Sequence, residues 1–136
     1  IQECVDIARD NGAKVVVVHG ETPVENVYQG TNEAAIKARC DILAHPGRIT
    51  LETASLAYEY GVMLEITSRR GGCLSNAHIL NKCRETGTDF IVNSDAHTPS
   101  DIYTEHLYKE TAFGCGMTEQ EFDKMLTRLQ NWIKNL

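Results

Sequence analysis

The chain has 136 residues, of which 42% are hydrophobic and 24% charged, with a formal net charge of −6. That length and balance predict a single folded domain over residues 1–136 and exclude a disordered chain. No apolar run approaches the roughly 20 residues that span a bilayer, and an acidic chain offers no broad basic face to nucleic acid or anionic lipid.

The elements alternate. Residues 1–11 predict a helix stopped by Gly12. Lys14 to His19 follows, and its four consecutive valines predict a strand buried on both faces. A helix is expected over Asn32 to Arg39, opened by Thr31 or Asn32, and a second buried strand over Asp41 to His45, ended by Pro46-Gly47. Thr50 to Tyr60 reads as a helix capped by Gly61, Val62 to Thr67 as a third strand, Asn76 to Thr86 as a helix capped by Gly87, and Phe90 to Asn93 as a fourth strand. Thr118 and Glu121 form a capping-box pattern, after which Phe122, Met125, Leu126, Leu129, Trp132, Ile133 and Leu136 recur at helical spacing as a packing stripe. Strand followed by helix, repeated, predicts an α/β fold with parallel strands. The Val15 to Val18 strand is expected at an open sheet edge, because nothing between Lys14 and His19 discourages further pairing.

Five cysteines (Cys4, Cys40, Cys73, Cys83 and Cys115) form no C-x-x-C pair. The odd count and the spacing predict reduced, mostly buried thiols and a cytoplasmic protein, not a disulfide framework or a zinc knuckle.

Candidate chemistry sits at strand ends. His19 ends the first predicted strand and His45 the second; Glu65 lies near the end of the third, and Asp95 and His97 follow the fourth. In parallel α/β folds these ends open onto one ligand-binding face. Three imidazoles and two carboxylates gathered there suit a divalent ion such as Zn, Mn or Fe. Continued strand alternation would place Asp95 and His97 on one side. His78 and His106 fall in helices and predict surface or capping roles. Arg69 and Arg70 beside Gly71-Gly72 are either a phosphate clamp or solvated loop charges, and Glu21 either assists His19 or is loop polarity.

Several of these stretches resemble a known family. His45-Pro46-Gly47 after Ile42-Leu43-Ala44, then Leu64-Glu65-Ile66, then Asn93-Ser94-Asp95-Ala96-His97 resemble the later motifs of the PHP (polymerase and histidinol phosphatase) superfamily. The valine strand ending in His19-Gly20-Glu21, the Gly30-Thr31-Asn32 turn and Arg69-Arg70-Gly71-Gly72 are most similar to its histidinol-phosphatase-like branch in archaea and bacteria. The resemblance implies that residues 1–136 are the carboxyl-terminal portion of a distorted, TIM-like (β/α)7 barrel. It implies a cluster of two or three divalent metals and hydrolysis of a small phosphorylated substrate. Carried over by position, His19 and His45 would bind one metal, Asp95 a second and His97 a third. Asp95 and His97 would be catalytic, Arg69 and Arg70 would bind substrate, and Glu65 and Glu21 would support the ligands.

The family's opening His-x-His and its bridging Glu have no counterpart here and would precede residue 1, which is Ile and not Met. A partial barrel is therefore expected to self-associate or to pair with its missing amino-terminal half. The alternative reading is a non-catalytic PHP-like module that binds metal or another protein.

Overall fold

Each element begins and ends for local reasons. The computed structural model describes residues 1–136. Helix α1 (Gln2–Asp10) leads into β1 (Val17–His19). Helix α2 (Thr31–Lys37) starts after Gly30, whose φ of +91° turns the chain into it. Strand β2 (Ile42–Ala44) precedes α3 (Leu51–Tyr60), where the Thr50 hydroxyl accepts from the Thr53 N–H. Strand β3 (Met63–Thr67) runs through a short 3-10 turn into α4 (Asn76–Thr86), and β4 (Phe90–Asn93) through another into α5 (Glu105–Gly114). Helix α6 (Glu119–Lys134) closes the chain, and Thr118 and Glu121 form the capping box expected of them. The helix over Glu105–Gly114 had no sequence boundary beyond the placement of His106.

The four strands form one parallel sheet in the order β1-β2-β3-β4. This is the α/β alternation expected, with each strand beside its predecessor. Strands β1 and β4 are the sheet edges, as expected for the valine strand.

Register divides the sheet into two faces, because paired residues of parallel strands point the same way. Val18, Leu43 and Leu64 make one row, and Leu43 and Leu64 are fully buried. Val17, Ile42 and Met63 make the opposite row. Here the expectation of a strand buried on both faces fails for β1: Val17 is 49% exposed. An edge strand has a neighbour on one side only, so its residue on this face lacks the cover that Ile42 and Met63 receive. The core runs from the first row through Ile36, Ala54, Ile79 and Leu80 to Phe122, Met125 and Leu129 of α6. The α6 stripe ends sooner than its spacing predicted, since Ile133 and Leu136 are exposed.

All five cysteines are free; Cys40 and Cys83 are buried, whereas Cys4 and Cys73 are exposed, so the thiols are less uniformly buried than expected. No helix is long and apolar enough to cross a membrane.

Candidate functional site

His19 and His45 meet because β1 and β2 pair in register. His19 lies opposite Ala44, and the next N–H, that of Gly20, donates to the Ala44 carbonyl at 2.8 Å. The chain then turns at His45, whose φ of +31° is in the left-handed region that a branched scaffold residue avoids. Glu65 holds that turn. Its Oε2 accepts from the His45 backbone N–H at 2.7 Å and lies 2.8 Å from His45 Nδ1.

With Nδ1–H directed at Glu65, the free lone pair of His45 sits on Nε2. That nitrogen lies 3.0 Å from His19 Nδ1, with the two rings edge to face at 77°. On the far side, His19 Nε2 is 3.4 Å from Glu25 Oε2. The four side chains thus form a line: Glu25, His19, His45, Glu65. Burial works to lower the His45 pKa, but the hydrogen bond and charge of Glu65 outweigh it, with Asp95 and Glu25 adding, and the pKa is raised. Glu65 is itself buried, and its second oxygen, Oε1, has no hydrogen-bond partner.

The fourth strand delivers its residues differently. Strand β4 ends at Asn93, and Asp95 adopts a φ of +49°. Strand alternation therefore does not extend to Asp95 and His97; the two side chains still adjoin, with His97 Nδ1 4.0 Å from Asp95 Oδ1, but through that turn and not through the strand repeat. The His97 ring folds back so that Nδ1 lies 2.7 Å from the Asp95 carbonyl. Asp95 faces Arg69, whose Nε is 3.7 Å from its carboxylate, and another Arg69 nitrogen is 3.7 Å from Asp101.

Glu21 lies away from His19's ring. Its Oε1 accepts from the Gly30 and Asn32 N–H groups at 2.9 and 3.0 Å and so holds the start of α2. His78 is tied to the Ile49 carbonyl at 2.7 Å. His106 lies in α5 and is exposed. Arg70 is exposed in the loop after β3.

Three supporting residues had no role at the site assigned from sequence, although Asn32 was named in the turn before the second helix. Glu25 reaches His19 from an irregular loop, which has no periodicity to mark it. Asn32 is buried, accepts from the Glu21 N–H at 2.9 Å and donates to the Pro46 carbonyl at 2.9 Å, tying the β1 and β2 exits together. The Tyr103 hydroxyl donates to the Asn93 carbonyl at 2.6 Å and accepts from the Ser68 N–H at 3.1 Å, tying the β3 and β4 exits.

The His19–His45 pair suits a transition metal in part. Its nitrogens are 3.0 Å apart. Two ligands on a tetrahedral ion with bonds of about 2.0 Å would be separated by about 3.3 Å. Glu65 orients His45 as carboxylates orient metal-bound imidazoles. The set is incomplete in this chain, since no three His, Cys, Asp or Glu side chains converge as a metal site.

No family model matches the chain. An uncharacterized protein of the archaeon Methanocaldococcus jannaschii is 44% identical over 120 residues, which cover 88% of this chain and 55% of that protein. The chain therefore spans little more than half the length of the curated relative it matches.

Proposed function

We propose that this chain is part of a metal-dependent phosphoesterase of the PHP superfamily, and that its sheet is a segment of a (β/α)7 barrel. The observation that carries the reading is the His19–His45 pair, 3.0 Å apart at the carboxyl ends of adjacent parallel strands and keyed by the buried Glu65. The strand order supports the barrel, because consecutive strands lying side by side are what a closing (β/α) series requires.

Zn, Mn or Fe would be held at His19 Nδ1 and His45 Nε2, with further donors from Asp95, His97 and a part of the protein outside this chain. A bound ion there supplies Lewis-acid polarisation of a phosphoryl oxygen and a more acidic water. The chain's own residues do the rest. Glu65 fixes the His45 tautomer, and the Glu25 carboxylate lies 3.4 Å from His19 Nε2. Arg69 lies 3.7 Å from the Asp95 carboxylate and balances its charge. Arg70 is the guanidinium free to meet a phosphate. The relative's greater length supports a missing half, which would pair along an open sheet edge; self-association of the chain is the other way to cover it.

Phosphomonoesterase assays of the full-length parent, loaded with Mn or Zn, test the reading. Asp95→Ala and His97→Ala are expected to abolish turnover, while His78→Ala and His106→Ala retain most of it. Absence of hydrolysis with either metal, alongside stoichiometric metal binding, would favour the non-catalytic module instead.

A further inference from the structure

The loop between β1 and α2 reaches across the strand exits that carry the histidine pair. Its base is pinned. Glu21 Oε1 accepts from the Gly30 and Asn32 N–H groups, and the Glu21 N–H donates to the Asn32 side chain at 2.9 Å. Two glycines make room for the stretch between those ends. A Cβ on Gly47, after β2, would collide with the Glu21 carbonyl, and one on Gly71, after β3, would lie 2.8 Å from the Val24 methyl carbons. A Cβ on the next residue, Gly72, would stand 3.4 Å from His45 Cβ, so the seat of the loop adjoins the site.

The loop is fastened unevenly. Short hydrogen bonds hold its ends, whereas its middle meets the site through Val24 on Gly71 and Glu25 on His19. The Glu25 carboxylate is 3.4 Å from His19 Nε2 and its side chain is 58% exposed. That separation exceeds the roughly 2.7–2.9 Å of a charge-assisted N–H···O bond.

The tautomer of His19 accounts for the long contact. In the neutral pair, His45 Nε2 presents a lone pair and accepts from His19 Nδ1–H at 3.0 Å. His19 Nε2 is then a lone pair itself, facing a carboxylate that it repels. If both rings give their facing lone pairs to a cation, His19 loses the Nδ1 proton to water and takes one from water at Nε2, with no net change. The new Nε2–H points at Glu25, and the positive charge on the far side of the ring makes it a stronger donor.

We propose that residues 22–29 are a strap poised over the histidine pair, and that Glu25 closes it onto His19 when both rings hold a divalent ion. Glu25 is then a positioning residue, doing for His19 what Glu65 does for His45. The inference rests on the metal binding proposed above and not on phosphate-ester hydrolysis.

The test uses the full-length parent, stripped with chelator and titrated with Zn at fixed pH. Hydrogen exchange follows the backbone of residues 22–29, and calorimetry follows binding. Exchange over this segment is expected to slow about ten-fold when Zn binds, the effect of gaining one charge-assisted hydrogen bond. Glu25→Ala should still bind Zn but lose the slowing, and Glu25→Gln, whose amide oxygen still accepts, should keep about three-fold of it. A Glu25 that merely shaped the loop would change exchange equally with and without Zn. His45→Ala should weaken binding and abolish the slowing. Zn bound through His45 with exchange over 22–29 unchanged, or slowing retained in Glu25→Ala, overturns the strap. Absence of Zn binding, or binding that His45→Ala leaves intact, overturns the metal site and the strap together, and calorimetry reports it separately. Failure of the phosphoesterase reading alone would appear as a strap that closes in a protein without hydrolytic activity.

Discussion

His45 and His97 both follow a parallel strand, yet they sit in opposite physical states. The His45 side chain is 4% exposed, with Glu65 holding both its backbone N–H and its ring. The His97 side chain is 57% exposed and its ring contacts only its own loop. The same division runs through their neighbours. Asn32 and Glu65 make short, buried hydrogen bonds around the β1–β3 exits, whereas Arg69, Asp95 and Asp101 meet at 3.7 Å in partly solvated contacts. One side of the strand-end face is preorganised by the core. The other is held by weaker, screened interactions and is free to adjust to what binds it.

Stability measurements can break that comparison. The largest effect is expected for Glu65→Ala, which leaves the buried His45 N–H and ring without their acceptor and should cost about 3 kcal/mol in urea unfolding. A loss below about 1 kcal/mol would show that solvent already reaches His45. Gly47→Ala should follow at about 2 kcal/mol, because Gly47 has a φ of +64° and an added Cβ would collide with the Glu21 carbonyl. That collision lies between the β1 and β2 exits, so the variant should also shift the His19 and His45 imidazole resonances.

An acid titration sharpens the comparison from outside the site. The Arg84 guanidinium, more than the hydrogen bonds from Thr118, draws the Glu121 pKa down to about 2 from an ordinary value of 4.5, against a smaller opposing effect of burial. A carboxyl whose folded pKa is depressed contributes stability above its unfolded value and loses it as pH falls through the folded one. The α6 docking should therefore weaken between pH 4.5 and about 2, read by fluorescence of Trp132, and Arg84→Ala should move that transition to higher pH. The smallest effect belongs to His97→Ala, expected to change stability by less than about 0.5 kcal/mol. A cost comparable to that of Glu65→Ala would mean that the β4 exit is as preorganised as the others.

Much of the scaffold was legible in the chain. Asn76 to Thr86, Phe90 to Asn93 and the capping box at Thr118 depend on neighbours a few residues away, and those interactions are written locally. The placement of His19 and His45 at strand ends was equally local, since a run of β-branched or apolar residues followed by Gly20 or Pro46-Gly47 marks where a strand stops. The resemblance to the PHP motifs rested on the same ordered residues.

What the sequence by itself determined was therefore the alternation of strands and helices and the set of polar residues at their exits. Tertiary structure alone decided which of those residues meet. The in-register pairing of β1 with β2 brought two imidazoles to 3.0 Å, and the buried Glu65 selected the orientation of His45. A left-handed turn at Asp95, not strand alternation, brought the His97 ring back beside Asp95. Glu25 and Tyr103 reached the site from loops, which follow no repeat because their shape is set by what they pack against. The exposure of Val17 had the same origin: a valine run encodes a strand, but only its position in the sheet determines whether a second face is covered.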